Sequence, residues 1–204
     1  MRAPTPVTLT PADTAWPASL AERMGGAAPP ALQAIGPLAF LVKRKTAFFC
    51  SARTPGDAIL RAHEAARSMR DGGLTVISGF QSPLEKDCLE ILLRGRQPMV
   101  IGLARSLEGM RLPAVWRQNI DAGRLLLISP FPESVRRVTA ATAEQRNTLV
   151  AALAGEVYFA HVTLGGSLER LSQLVRSWGV PILPRDMGSS SKSTETARQA
   201  KVTA

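Results

Sequence analysis

From Thr46 onward, short continuous apolar runs alternate with amphipathic stretches of helical period, and no other feature constrains the chain as strongly. The runs are AFFCSA (47–52), LTVISGF (74–80), PMVIGLA (98–104), RLLLISPF (124–131) and EVYFAHV (156–162), with a last short run, VPILP (180–184). Strands without polar alternation are buried on both faces, the condition of a parallel sheet covered by helices. Strand–helix alternation with right-handed crossovers predicts an α/β, Rossmann-like three-layer fold with a mostly parallel, doubly wound sheet.

The stretches between the runs carry their own start and stop signals. In TPGDAILRAHEAARSMRDGG, Thr54 reads as an N-cap, Pro55 as the first helical residue and Asp57 as an acidic third. Ala58, Ile59, Ala62, Ala65, Ala66 and Met69 make one apolar face, and Gly72-Gly73 stops the helix. Ser82-Pro83-Leu84-Glu85 is a capping box with proline in the first turn. Further helices are read around Ala114 to Ala122, over Glu133 to Ala154 as one or two pieces with Arg136, Arg137 and Arg146 on polar positions, and along SLERLSQLVRSWG. Residues 1–45 read as a lead-in segment packing on the core, 46–186 as the domain, and 187–204 as a disordered tail.

Composition narrows the function classes. The chain has 204 residues, 45% of them hydrophobic, and no apolar run approaches the roughly 20 residues of a membrane span. The start, MRAPTPVTLTPADTAW, has no apolar stretch of the secretory kind, so a cytoplasmic protein is expected. Cys50 and Cys88 both fall in segments that read as buried, which suits a reducing compartment. No CxxC or His/Cys cluster suggests a metal, no Walker or Ser-His-Asp pattern appears, and no cofactor is expected. A net charge of +9 favours polyanionic partners, although a genome rich in arginine codons gives the same excess. Lys43, Arg44 and Lys45 form the tight basic run; aromatics at 5% show no stacking platform.

A ligand of such a sheet sits at the carboxyl ends of the strands, near the point where strand order reverses. The residues this reading puts there are Ser51 and Arg53, Ser78 and Gly79, Arg105 with Ser106, and Gly165, Gly166 and Ser167. Gly-Gly-Ser opening a helix leaves backbone N–H groups for an anion, or else is only a tight turn. Arg53 either grips phosphate or snorkels along the surface. His63 and Cys50 read as packing residues, and the acids Asp57, Glu85 and Glu169 serve helix starts before any catalysis. No catalytic constellation emerges, which weighs against an enzyme.

The order of these motifs resembles the DNA-processing protein A family (DprA/Smf), within the SLOG group of Rossmann-like domains. The likeness runs through Trp16-Pro17, Leu20, Pro29-Pro30, Leu32 and Gly36, then CSART with Arg53, VISGF with Ser78 and Gly79, and Glu85. It continues through ISPFP, QRNTLVAALAGEVYFAH with Arg146 and Asn147, Gly166-Ser167-Leu168, and Trp178-Gly179-Val180-Pro181-Ile182. Ser82 and Pro83 stand where the family has arginine and glycine, and Arg136 and Arg137 lie in an insertion. The resemblance implies single-stranded DNA as partner, held by Lys43, Arg44, Lys45, Arg53, Arg146 and Asn147, with self-association into a homodimer and a recombinase partner. A SLOG-type sensor of a nucleotide or phosphoribosyl ligand is the alternative. A LOG-like nucleotide N-glycosidase fits less well, because Gly165 to Glu169 lacks the proline and threonine of that loop.

Overall fold

In a computed structural model describing residues 5–184, the apolar runs become the strands of one seven-stranded mixed sheet, in the order β1-β2-β6-β5-β4-β3-β7. Its parallel part comprises β3 (Thr46–Cys50), β4 (Val76–Ser78), β5 (Met99–Gly102), β6 (Leu125–Ser129) and β7 (Glu156–His161). The lead-in adds β2 (Leu32–Ile35), antiparallel to β6, and β1 (Val7–Leu9), antiparallel to β2. Gly36 ends β2 at φ +117°, and a Cβ there would run into the Leu125 carbonyl, so glycine is required.

The alternation of side chains along each strand divides the interior into two cores. Ala47, Phe49, Val100, Leu126, Ile128, Val157 and Phe159 face α1 (Ala18–Met24), α5 (Ala140–Ala152) and α6 (Ser167–Ser177). Phe48, Cys50, Met99, Ile101, Leu125, Leu127 and Tyr158 face α2 (Gly56–Asp71), α3 (Pro83–Leu93) and α4 (Ala114–Asp121). The doubly wound three-layer fold follows directly from strands apolar on both sides. At one end of the sheet, Phe48 pairs with Tyr158 and Phe49 with Phe159 across β3 and β7, ring centroids 5.4 and 5.6 Å apart.

Four local readings are corrected. α2 begins one residue late: Pro55 is its N-cap, with no side-chain cap, because the Thr54 hydroxyl donates instead to the Ser51 carbonyl at 2.9 Å. The helix expected over Glu133 to Ala154 is confined to α5, capped by Thr139. Arg146, read as polar-facing, is buried there. VPILP forms a single bridge, Ile182 to Val157, since Pro181 and Pro184 bracket it without N–H donors. The tail expectation for 187–204 lies outside the described residues.

Candidate nucleic-acid interface

Strand order reverses at β3. The chain leaves β3 for α2 on one face, whereas the adjacent β7 leads into α6 on the other. The two connections therefore part at the carboxyl edge and open a crevice there. Its base is stitched together: the Ser51 N–H donates to the His161 carbonyl, and the Thr163 N–H donates to Ser51 Oγ, both at 3.0 Å. Arg53 stands just beyond, exposed, with no ion-pair or hydrogen-bond partner among the described residues.

The glycine turn on the β7 side is already occupied. Gly165 sits at φ +73° and its N–H donates to the Glu169 carboxylate at 2.6 Å, while the Gly166 N–H donates to the Thr163 carbonyl at 3.1 Å. A phosphate brought to this turn would face Glu169's own negative charge. The expected pair of open glycine N–H donors is therefore corrected; Ser167, exposed, opens α6 beside them. Gly166 is tight for a different reason, since a Cβ there would meet the Thr163 carbonyl at 2.9 Å.

Behind the crevice, two buried charges lace the strand ends together. The Glu85 carboxylate accepts from the backbone N–H groups of Cys50 at 3.0 Å, Gln81 at 2.9 Å and Ser82 at 3.2 Å. Arg146 donates from Nη1 to the Gly102 carbonyl at 3.0 Å, from Nη2 to Gln81 Oε1 at 2.8 Å, and from Nε to Asn147 Oδ1 at 2.8 Å. Burial lowers the Arg146 pKa and the Glu85 charge opposes that shift. Gly79 gives the guanidinium room, because a Cβ at 79 would overlap it. Ser78 is fully buried, its Oγ accepting from the Phe80 N–H at 3.2 Å. Ser78, Gly79, Arg146 and Asn147 thus brace the rim from within.

The thiols are unsuited to nucleophilic chemistry. Burial, above all, raises the Cys50 pKa, and burial pushes Cys88 up to about 12.

The basic run lies at the other end of the sheet. Lys43 places its ammonium 5.3 Å from the Phe40 ring centroid, and Arg44 pairs with Glu156 at 2.8 Å. Lys45 is buried, donating to the carbonyls of Leu41 and Lys43 at 2.7 Å and of Leu153 at 3.2 Å. Desolvation there, with Arg23 nearby, lowers its pKa to about 8. Lys43, Arg44 and Lys45 are therefore not brought together with Arg53.

Along the carboxyl-end rim, the structure brings Lys86 and Trp116, which pattern reading passed over, beside the expected Arg105. Lys86, Arg105 and Trp116 line one cleft near the ends of β4 and β5, and Arg137, exposed, lies in the segment after β6. The signal for Trp116 was its place in a short helix following the third apolar run, but no sequence rule turns that helix toward the rim.

A model of the family described as DNA recombination-mediator protein A matches residues 7–193. The structure of DNA processing protein A (DprA) from Streptococcus pneumoniae aligns at a TM-score of 0.71 and 16% identity, over 86% of this chain and 61% of that one. DprA from Helicobacter pylori, described as having a unique single-stranded DNA binding mode, aligns at a TM-score of 0.68 and 19% identity, over 86% of this chain and 79% of that one. The chain thus spans about three fifths of the length of the streptococcal protein. No curated protein matches the sequence. Among the described residues, no helix is long and apolar enough to cross a membrane. With the family model covering most of its length, the chain belongs to the DNA recombination-mediator protein A family.

Proposed function

We propose that this chain is a DNA-processing protein that binds single-stranded DNA along the carboxyl-end rim of its parallel sheet, with Arg53 as the leading phosphate contact. The observation that carries the reading is an imbalance of charge. Arg53 is exposed at the switch point and unpaired among the described residues, whereas several carboxylates are engaged. Asp57 pairs with Arg61, Glu133 with Arg136 and Glu144 with Arg170, while Glu85 and Glu169 accept backbone N–H groups. Lys86, Arg105 and Arg137 extend the positive rim. Membership of the family and the DNA-binding relative support the same class of partner. A cytoplasmic location, a homodimer and a recombinase partner belong to this reading as further proposals.

Binding of this kind releases counterions from the strand. A labelled oligothymidylate, titrated at several salt concentrations and followed by fluorescence anisotropy, should give log affinity falling linearly with log salt. Three or four phosphate contacts correspond to a slope of roughly −2 to −3. Failure to bind at low salt, or binding indifferent to salt, contradicts the proposal.

A further inference from the structure

At the amino-terminal edge of the sheet, the turn from α3 into β5 reads Leu93-Arg94-Gly95-Arg96-Gln97, and arginines from three connections gather on it. Arg94 and Arg96 are exposed, with no ion-pair or hydrogen-bond partner among the described residues. Arg124, the residue before β6, reaches the same turn. Its Nη2 donates to the Leu93 carbonyl at 3.2 Å, and its own carbonyl accepts from the Met99 N–H at 2.8 Å. Arg70, in the last turn of α2, packs there too, since a Cβ at Gly95 would overlap Arg70 Cγ and the Gln97 side chain. Gln97 is buried and donates to the Leu92 carbonyl at 2.8 Å. Gln97 and Arg124 thus tie the turn to the end of α3, so Arg94 and Arg96 stand on anchored backbone.

The local carboxylates do not match these cations. Asp71 is held by Arg70 through Nε at 2.7 Å and Nη2 at 3.1 Å. Glu90, one turn back on α3, lines the cleft beside Trp116. Asp121 alone, exposed at the end of α4, remains near Arg94, Arg96 and Arg124. A guanidinium has five donors in a planar fork, and Arg124 commits one of them within the turn. A single carboxylate satisfies one such fork, whereas a chain of linked phosphates offers oxygens to several at once.

We propose that this arginine turn is a second anion site, at the opposite edge of the sheet from Arg53, and that it takes linked phosphates. Arg94 and Arg96 grip the anion and Arg124 is the fixed third contact. The site is independent of the DNA-binding reading above. Its phosphates come from a small phosphorylated molecule or from a nucleic-acid backbone, which share this chemistry.

Sodium tripolyphosphate, titrated calorimetrically at one low ionic strength into the Arg53→Ala chain, tests the turn with the other edge disabled. Saturable binding is expected, and Arg94→Gln with Arg96→Gln should weaken it roughly tenfold or more. Arg111→Gln with Arg176→Gln removes the same charge from exposed positions elsewhere and should change it less than twofold. Melting curves of both double variants show that each is folded. Equal weakening by the two pairs, or no saturable binding, overturns the proposal and makes the arginines a solvated face. A duplex oligonucleotide that displaces tripolyphosphate assigns the site to a nucleic-acid backbone, and one that does not assigns it to a small phosphorylated molecule; either result upholds the site.

Discussion

Gly79 and Arg146 are sixty-odd positions apart in sequence, and each depends on the other's shape. The guanidinium lies against the glycine and spends its donors on a carbonyl and two side-chain amides. Gly79→Ala should therefore lower stability in denaturant by about 2–3 kcal/mol through overpacking and disturbed buried bonds. In an Arg146→Met background the same change should cost at least ~0.5 kcal/mol less, because the obstructing group is gone. Equal costs in the two backgrounds would show that the residues do not compete for one space. Little of this is legible in the chain. Its sequence neighbours Glu144, Gln145 and Asn147 are polar, and only the tertiary arrangement reveals that Gly102 and Gln81 supply its acceptors.

Among the elements, α3 shows how a local signal acquires a distant role. Its capping box forms as the sequence indicates, with Ser82 Oγ accepting from the Glu85 N–H at 3.3 Å. Glu85 also reaches β3 through the Cys50 N–H, which fixes the helix start to the strand end beside Arg53. Ser82→Ala should cost about 1 kcal/mol, the usual worth of a cap. Glu85→Ala should cost more, on the order of 3 kcal/mol, since several N–H donors at the strand end lose their acceptor. Similar losses for the two variants in urea unfolding would reduce Glu85 to an ordinary cap. The capping box was readable because its partners lie within one turn. The antiparallel strands β1 and β2 were not, since three and four residues are too short to show a period, and the pairing of β2 with β6 is set some ninety residues away.

At the scale of the whole molecule, the sheet separates two basic regions that look contiguous in sequence. Lys43 to Lys45 and Arg53 are only a few positions apart, but β3 runs between them. Its five residues carry the chain ~16 Å across the sheet, from the amino-terminal edge to the carboxyl-terminal one. The apolar runs made the parallel sheet legible; the end of the sheet that each cation occupies becomes visible only once strand direction is known. At the amino-terminal edge, Arg44 is paired with Glu156 and Lys45 is enclosed by carbonyls. At the carboxyl-terminal edge, Arg53 is exposed and unpaired among the described residues. Arg53→Ala and Arg44→Ala remove the same charge from opposite edges, so oligothymidylate affinity for the two variants, at one low salt concentration, tests the central claim most directly. Arg53→Ala should lose about 1–3 kcal/mol of binding with its melting temperature kept, and Arg44→Ala should stay within about 0.5 kcal/mol of the unaltered chain, the small effect usual for an exposed ion pair. An Arg44→Ala loss equal to or greater than that of Arg53→Ala would move the DNA to the other edge of the sheet and contradict the assignment.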